Sequence, residues 1–186
     1  MKDLETKIKK AILEQTKIVD LLTENKSIKI DNFPIVMKQT REQNYRALCH
    51  KNKIEIFVPL KMSDQQQKEI PIILMHEYFH LCIDQNASLS LIMSDFIDKN
   101  KLFFRKFYSS RLSPWIILHE LIVSSFVPEG YLGQKMGYDI NYKEKTKLGK
   151  ARLIVGQKMY SLAKKYIDKK IPIDHKYIKA IVNVLN

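Results

Sequence analysis

At 186 residues, with 45% hydrophobic and 10% aromatic side chains, the chain is long enough to bury a sizeable core and too apolar to stay disordered. Its 32 Lys and Arg against 20 Asp and Glu give a formal charge of +12, which attracts phosphates, anionic membranes and acidic proteins. The lysines are scattered and no compact Arg-rich or aromatic-interleaved patch occurs, so a solvated basic surface is expected ahead of a nucleic-acid interface.

The opening stretch, residues 3 to 24, repeats Leu4, Ile8, Ile12, Ile18, Leu21 and Leu22 at helical spacing, which predicts an amphipathic helix rather than a signal peptide. Extended segments follow at "SIKI" (27–30) and "FPIVMK" (33–38). "YRALCH" (45–50) and "KIEIFVPL" (53–60) suggest a hairpin turning at Lys51 and Asn52, with Ile54, Ile56 and Val58 alternating against Lys53, Glu55 and Phe57. Ser63 with Gln66 three residues on reads as a capping box, and Pro71 predicts a kink or a fresh start before a helix that runs to about residue 84. Residues 87 to 108 are predicted helical. Ser113 and Pro114 open another helix to about Val127, as N-cap and first helical residue. "PEGYLGQKMGYD" (128–139) holds three of the five glycines and predicts loop or turn. A long Lys-rich helix is expected over about 141 to 168, and a last one over about 174 to 184.

Cys49 and Cys82 are the two cysteines, with no CxxC, which excludes a disulfide framework and fits a reducing compartment. No run approaches the roughly 18 apolar residues of a membrane span. The expectation is a soluble, cytoplasmic protein without membrane partners, of unassigned oligomeric state.

The chemistry concentrates in "IPIILMHEYFHLCID" (70–84). His76 and His80, four apart, share one helical face and can grip a single zinc ion. Glu77 lies beside that face, placed to take a proton from a metal-bound water and pass it on. Buried without a metal, these side chains would each need a partner, at about 1–3 kcal/mol for each one unmet. A catalytic zinc takes a third protein ligand. "SPWIILHELIVSSF" (113–126) offers Glu120 and its neighbour His119, which point about 100° apart on a helix, so one of the two can face the metal. Spacing alone leaves the choice open, with Asp84 and Glu129 as further donors.

At these residues the chain resembles the gluzincins, zinc metallopeptidases in which HExxH on one helix is joined by a Glu on a second. The resemblance covers about residues 45 to 131. It implies His76, His80 and Glu120 as ligands of one zinc per chain, with Glu77 as general base. It also implies an antiparallel edge strand beside the active-site helix, matched by Ile54–Leu60, along which a peptide substrate lies extended through Ile54, Ile56 and Val58. Leu121 stands where many members carry Gly, and Ser113 where anthrax-lethal-factor-like members carry Tyr. Glu120, Val123 and Phe126 resemble the helix of repressor-cleaving phage-type HExxH peptidases.

Peptide hydrolysis also needs a donor for the developing oxyanion, and Tyr131 and Tyr108 flank the Glu120 helix as candidates. His119 is a further donor if it is not a ligand. Cys82 reads as a core thiol, Cys49 and His50 as strand residues, and Lys143, Lys145, Lys147, Lys150 and Arg152 as a solvated basic face. The expected fold is α+β and helix-rich: a zincin-like domain with a small mixed or antiparallel sheet on the HExxH helix. A helix at 1–25, a catalytic core at 27–131 and a helical extension at 140–186 make up the single domain. The expected function is zinc-dependent hydrolysis of peptide bonds in a protein or peptide. The alternative is an inactive zincin-like zinc-binding protein that docks a protein or nucleic acid.

Overall fold

A computed structural model describes residues 2–26, 28, 34–42, 46–50, 53–107 and 111–186. The helix α1 (Lys2–Leu22) turns Ile8, Ile12, Val19 and Leu22 inward. It is followed by three strands, β1 (Ile35–Thr40), β2 (Arg46–His50) and β3 (Lys53–Pro59). The remainder is helical: α2 (Asp64–Asp84), α3 (Ala87–Lys99), α4 (Lys101–Arg105), α5 (Pro114–Ser124), α6 (Tyr131–Lys135), α7 (Lys147–Lys158), α8 (Tyr160–Asp168) and α9 (His175–Asn183). The architecture is therefore α+β, helix-rich, with a small mixed sheet. Among the described residues no helix is long and apolar enough to cross a membrane.

The sheet order is β1-β3-β2. β3 pairs in parallel with β1, Ile35 opposite Ile54, and antiparallel with β2, His50 opposite Lys53. This corrects the expectation that Ile54–Leu60 is an edge: β3 is the central strand, and Ile54, Ile56 and Val58 are buried inside the sheet. Alternation reports which face of a strand is buried but not whether its two edges are paired, which is why the sequence misled here. Glu55, on the opposite face, is also buried and is held by Lys38 Nζ at 2.9 Å and Lys53 Nζ at 2.8 Å. Ile28 is not in a strand, and the rest of "SIKI" and the turn at Lys51 and Asn52 lie outside the described residues.

α2 is the central helix, and from Ile70 onward it is apolar nearly all round because neighbours cover most of that part of its surface. Its start is fixed as expected: Ser63 accepts from the Gln66 N–H while the Gln66 side chain accepts from the Ser63 N–H. Pro71, however, does not restart it: the helix runs unbroken from Asp64 to Asp84 with the proline inside it. Proline inside a helix costs about 3 kcal/mol, and burial of a side chain such as Ile70, Ile72 or Leu74 contributes about 1.5–3 kcal/mol each. Packing wins. Tyr78 locks α2 to α1 by donating to Asp20 Oδ1 at 2.6 Å, and Asn25 donates to the same oxygen at 2.8 Å.

The other helices differ from expectation at their joints. The 87–108 segment divides at Asn100 into α3 and α4. The glycine-rich 128–139 segment contains the short helix α6. The Lys-rich helix begins only at Thr146, whose side chain caps it, and is divided at Met159 into α7 and α8. α5 starts at Ser113 and Pro114 as predicted and packs against α2, α3, α7 and α9. α7 to α9 belong to the same core as α2 and α5: Tyr177 of α9 stacks on Phe126 at 5.1 Å, and its hydroxyl lies 2.8 Å from Ser125 Oγ.

Candidate metal centre

α2 presents His76 and His80 one turn apart toward α5, and α5 brings Glu120 to them. The His76 Nδ1 lies 3.2 Å from the Val127 carbonyl. A carbonyl can only accept, so Nδ1 carries the proton and Nε2 is left with a lone pair. That Nε2 lies 3.0 Å from His80 Nε2. His80 Nε2 is 3.4 Å from Glu120 Oε1, and His76 Nε2 is 3.8 Å from Glu120 Oε2. One donor atom from each of the three residues falls within 4.8 Å of the others. Two nitrogens each about 2.0–2.1 Å from a tetrahedral zinc are themselves about 3.3 Å apart, so the pair is spaced for one ion. Two neutral-capable imidazoles and a carboxylate whose Oε1 faces His80 Nε2 form a donor set that a zinc ion fits.

His119 occupies a different place. Its Nδ1 is 3.1 Å from His80 Nδ1, the nitrogen that does not face His76. If His80 offers Nε2 to a metal, its Nδ1–H must donate to His119 Nδ1. The His119 proton then sits on Nε2, 3.8 Å from Asp84 Oδ1 and without a hydrogen bond among the described residues. His119 and Asp84 thus form a line behind His80. Glu129, the other alternative donor, is buried on the far side of Arg152 and is not part of the donor group, with Tyr142 donating to its Oε1 at 3.0 Å.

Burial sets the protonation states. It drives His76 well below its usual pKa, aided by His80 and Arg152, and brings His80 down to about 3, again with Arg152. Burial and the nearby His80 take His119 down to about 3. All three imidazoles are therefore neutral near pH 7, the form that binds a metal. Burial raises Glu120, with Arg152 opposing. Burial and the Glu120 charge push Glu77 up to about 7, against Arg152 and a hydrogen bond from the Cys49 backbone N–H. A carboxyl near 7 can exchange protons at neutral pH.

That Cys49 N–H belongs to β2, so the strand that borders Glu77 is β2, an edge of the sheet, and not β3. Of the tyrosine candidates, Tyr131 packs edge-on against Tyr160 at 5.1 Å and makes no hydrogen bond to the histidines or Glu120 among the described residues, because α6 turns it toward α8. Tyr108 lies outside the described residues.

The basic cluster also needs correction. Lys143, Lys145, Lys147 and Lys150 are exposed, but Arg152 is turned inward to the site. Its Nη1 is 3.1 Å from Glu120 Oε2, its Nη2 is 3.0 Å from Glu129 Oε1, and its Nε donates to Ser124 Oγ at 2.8 Å. The signal available in the sequence was its type: it is the one arginine in a run of lysines, and a planar fork suits buried carboxylates better than an ammonium does.

Compared with known protein families, curated proteins and solved structures, the chain matches none of them.

Proposed function

We propose that this protein is a zinc-dependent metallopeptidase of gluzincin type, holding one zinc through His76, His80 and Glu120 and hydrolysing peptide bonds with Glu77 as general base. The observation that carries the proposal is the approach of His76 Nε2, His80 Nε2 and Glu120 with an ionisable carboxyl, Glu77, next to the first ligand on the same helix. A purely structural site fills four positions with Cys or His and has no use for that carboxyl.

Zinc held there would polarise a scissile carbonyl and bring the pKa of a bound water close to neutrality. Glu77 supplies the proton transfers: as carboxylate it accepts a proton from the attacking water, and as acid it returns one to the leaving amine. His76 and His80 stay neutral, their Nδ1 protons held by the Val127 carbonyl and by His119. A peptide substrate is proposed to lie along β2, whose outer edge has no strand partner among the described residues and which borders Glu77. Ile54, Ile56 and Val58 shape that sheet from inside without touching the substrate.

The test is metal analysis by mass spectrometry of protein purified without chelator, followed by cleavage of a peptide library. Wild type is expected to carry one zinc per chain and to cleave. Glu77→Ala should keep the zinc and lose about 10²–10⁴ in rate, and Glu120→Ala should lose both metal and activity. Absence of zinc from the wild type sinks the metal centre. Zinc without cleavage of any peptide favours the binding protein instead.

A further inference from the structure

Arg152 is the one cation in the basic run at α7 that is committed to the interior, and each edge of its guanidinium has a partner. Nε donates to Ser124 Oγ at 2.8 Å and Nη2 pairs with Glu129 Oε1 at 3.0 Å. Both anchors are buried: Ser124 is fully covered and Glu129 is 2% exposed. Glu129 is in turn held by the Tyr142 hydroxyl at 3.0 Å, and its backbone carbonyl accepts from Gln134 at 2.7 Å. The fork is therefore fixed from two sides that do not involve the metal donors. Its remaining corner, Nη1, sits 3.1 Å from Glu120 Oε2, while Glu120 Oε1 is left 3.4 Å from His80 Nε2.

The backbone is arranged around this contact. Gly156 lies one turn after Arg152 on the same face of α7. A Cβ at Gly156 would fall 2.5 Å from Glu129 Cβ and 2.6 Å from its backbone carbon and oxygen, so the glycine is what lets α7 come this close to Glu129. The two glutamates would otherwise be buried together without a counter-charge, which is costly.

We propose that Arg152 is a positioning residue for the metal centre: anchored by Ser124 and Glu129, it holds Glu120 Oε2 and so presents the metal with a single oxygen, Oε1. The inference rests on the metal-centre reading above. It assigns to an arginine outside both motifs the choice between one-oxygen and two-oxygen ligation by Glu120. A lysine would not replace it, because a single ammonium cannot donate to Ser124 Oγ while also pairing with both Glu120 and Glu129 from separate nitrogens.

The experiment compares wild type, Arg152→Lys and Lys150→Ala, the last an exposed cation on the same helix. Zinc affinity is read by competition with a chromogenic chelator, ligation by the visible spectrum of the cobalt-loaded protein, and folding by circular dichroism. Arg152→Lys is expected to stay folded and bind zinc about 10–100-fold more weakly, the usual effect of losing an outer-shell partner. Its cobalt bands should weaken as the second carboxylate oxygen joins the shell. Lys150→Ala should match wild type in both. Should Arg152→Lys not fold, Ser124→Ala, which removes one anchor, is read in the same way with a smaller expected loss. Unchanged affinity and an unchanged cobalt spectrum in the folded variant overturn the proposal. A wild type that binds neither metal removes the metal centre itself, a separate and distinguishable failure.

Discussion

His119 Nδ1 lies 3.1 Å from His80 Nδ1, so the histidine that stood as rival to Glu120 for the third ligand position is placed to fix the ring of His80, a proposed ligand. Replacing it should loosen the metal without removing it. His119→Leu leaves the His80 Nδ1–H without its acceptor in a buried position, and zinc affinity should fall about 10–100-fold while saturating zinc still gives one ion per chain. Equilibrium competition titrations measure this. Loss as complete as that in His80→Ala would instead make His119 a ligand, and no loss at all would remove its role.

Acid should weaken the metal-free protein through these same imidazoles. His80 and His119 titrate near 3 in the folded state against 6.5 ordinarily, so the unfolded chain binds more protons between those values. Each histidine then contributes its full stability above about pH 6.5 and loses it as pH falls toward 3. Glu77 works the other way: raised from 4.5 to about 7, it gains a proton in the folded state first and offsets part of the loss between those values. For His119 alone the linkage amounts to about 2 kcal/mol between pH 6.5 and pH 5. Thermal melts in chelator at pH 7.5, 6 and 5 should therefore show a shallower decline for His119→Leu than for wild type. Parallel declines would contradict the buried, neutral state of this ring.

Removing the start signal of the central helix should cost stability but spare the site. Ser63→Ala deletes the side-chain acceptor for the Gln66 N–H, worth about 1 kcal/mol. For a chain of this size that lowers Tm by about 2–4 °C. Zinc affinity should remain that of the wild type, since His76 lies three turns further on; a variant that lost metal in step with stability would show the site to be less separable from the helix end than its geometry implies.

Gly156→Ala should do the reverse, touching the site from a distance. The added methyl meets Glu129 at 2.5 Å, so α7 must move away, at a cost of about 1–3 kcal/mol. Arg152 moves with it, and zinc affinity should drop alongside Tm. Calorimetry and metal titration of the same preparation test both, and a destabilised variant with wild-type zinc affinity would separate the approach of α7 from the placing of Arg152.

Several features of this molecule are determined by the sequence alone because they depend on neighbours a few residues apart. The Ser63–Gln66 capping box and the Ser113–Pro114 start are local hydrogen-bond and dihedral requirements, and both helices begin there. The four-residue spacing of His76 and His80 puts them on one face wherever the helix is placed. Other features had no local cause. Pro71 leaves α2 whole because surrounding side chains compensate for it, and that burial is set by helices far along the chain. β3 is central because β1 returns parallel to it, a pairing its own alternation does not encode. Which of two adjacent residues, 119 or 120, meets the histidines depends on the rotation of α5 against α2, and only packing fixes that angle. Arg152 reaches Glu120 because Gly156 lets α7 approach, a contact between segments more than 30 residues apart. Local chemistry wrote the donors into the chain, whereas the position of the elements that aim them came from long-range packing, which no short stretch contains.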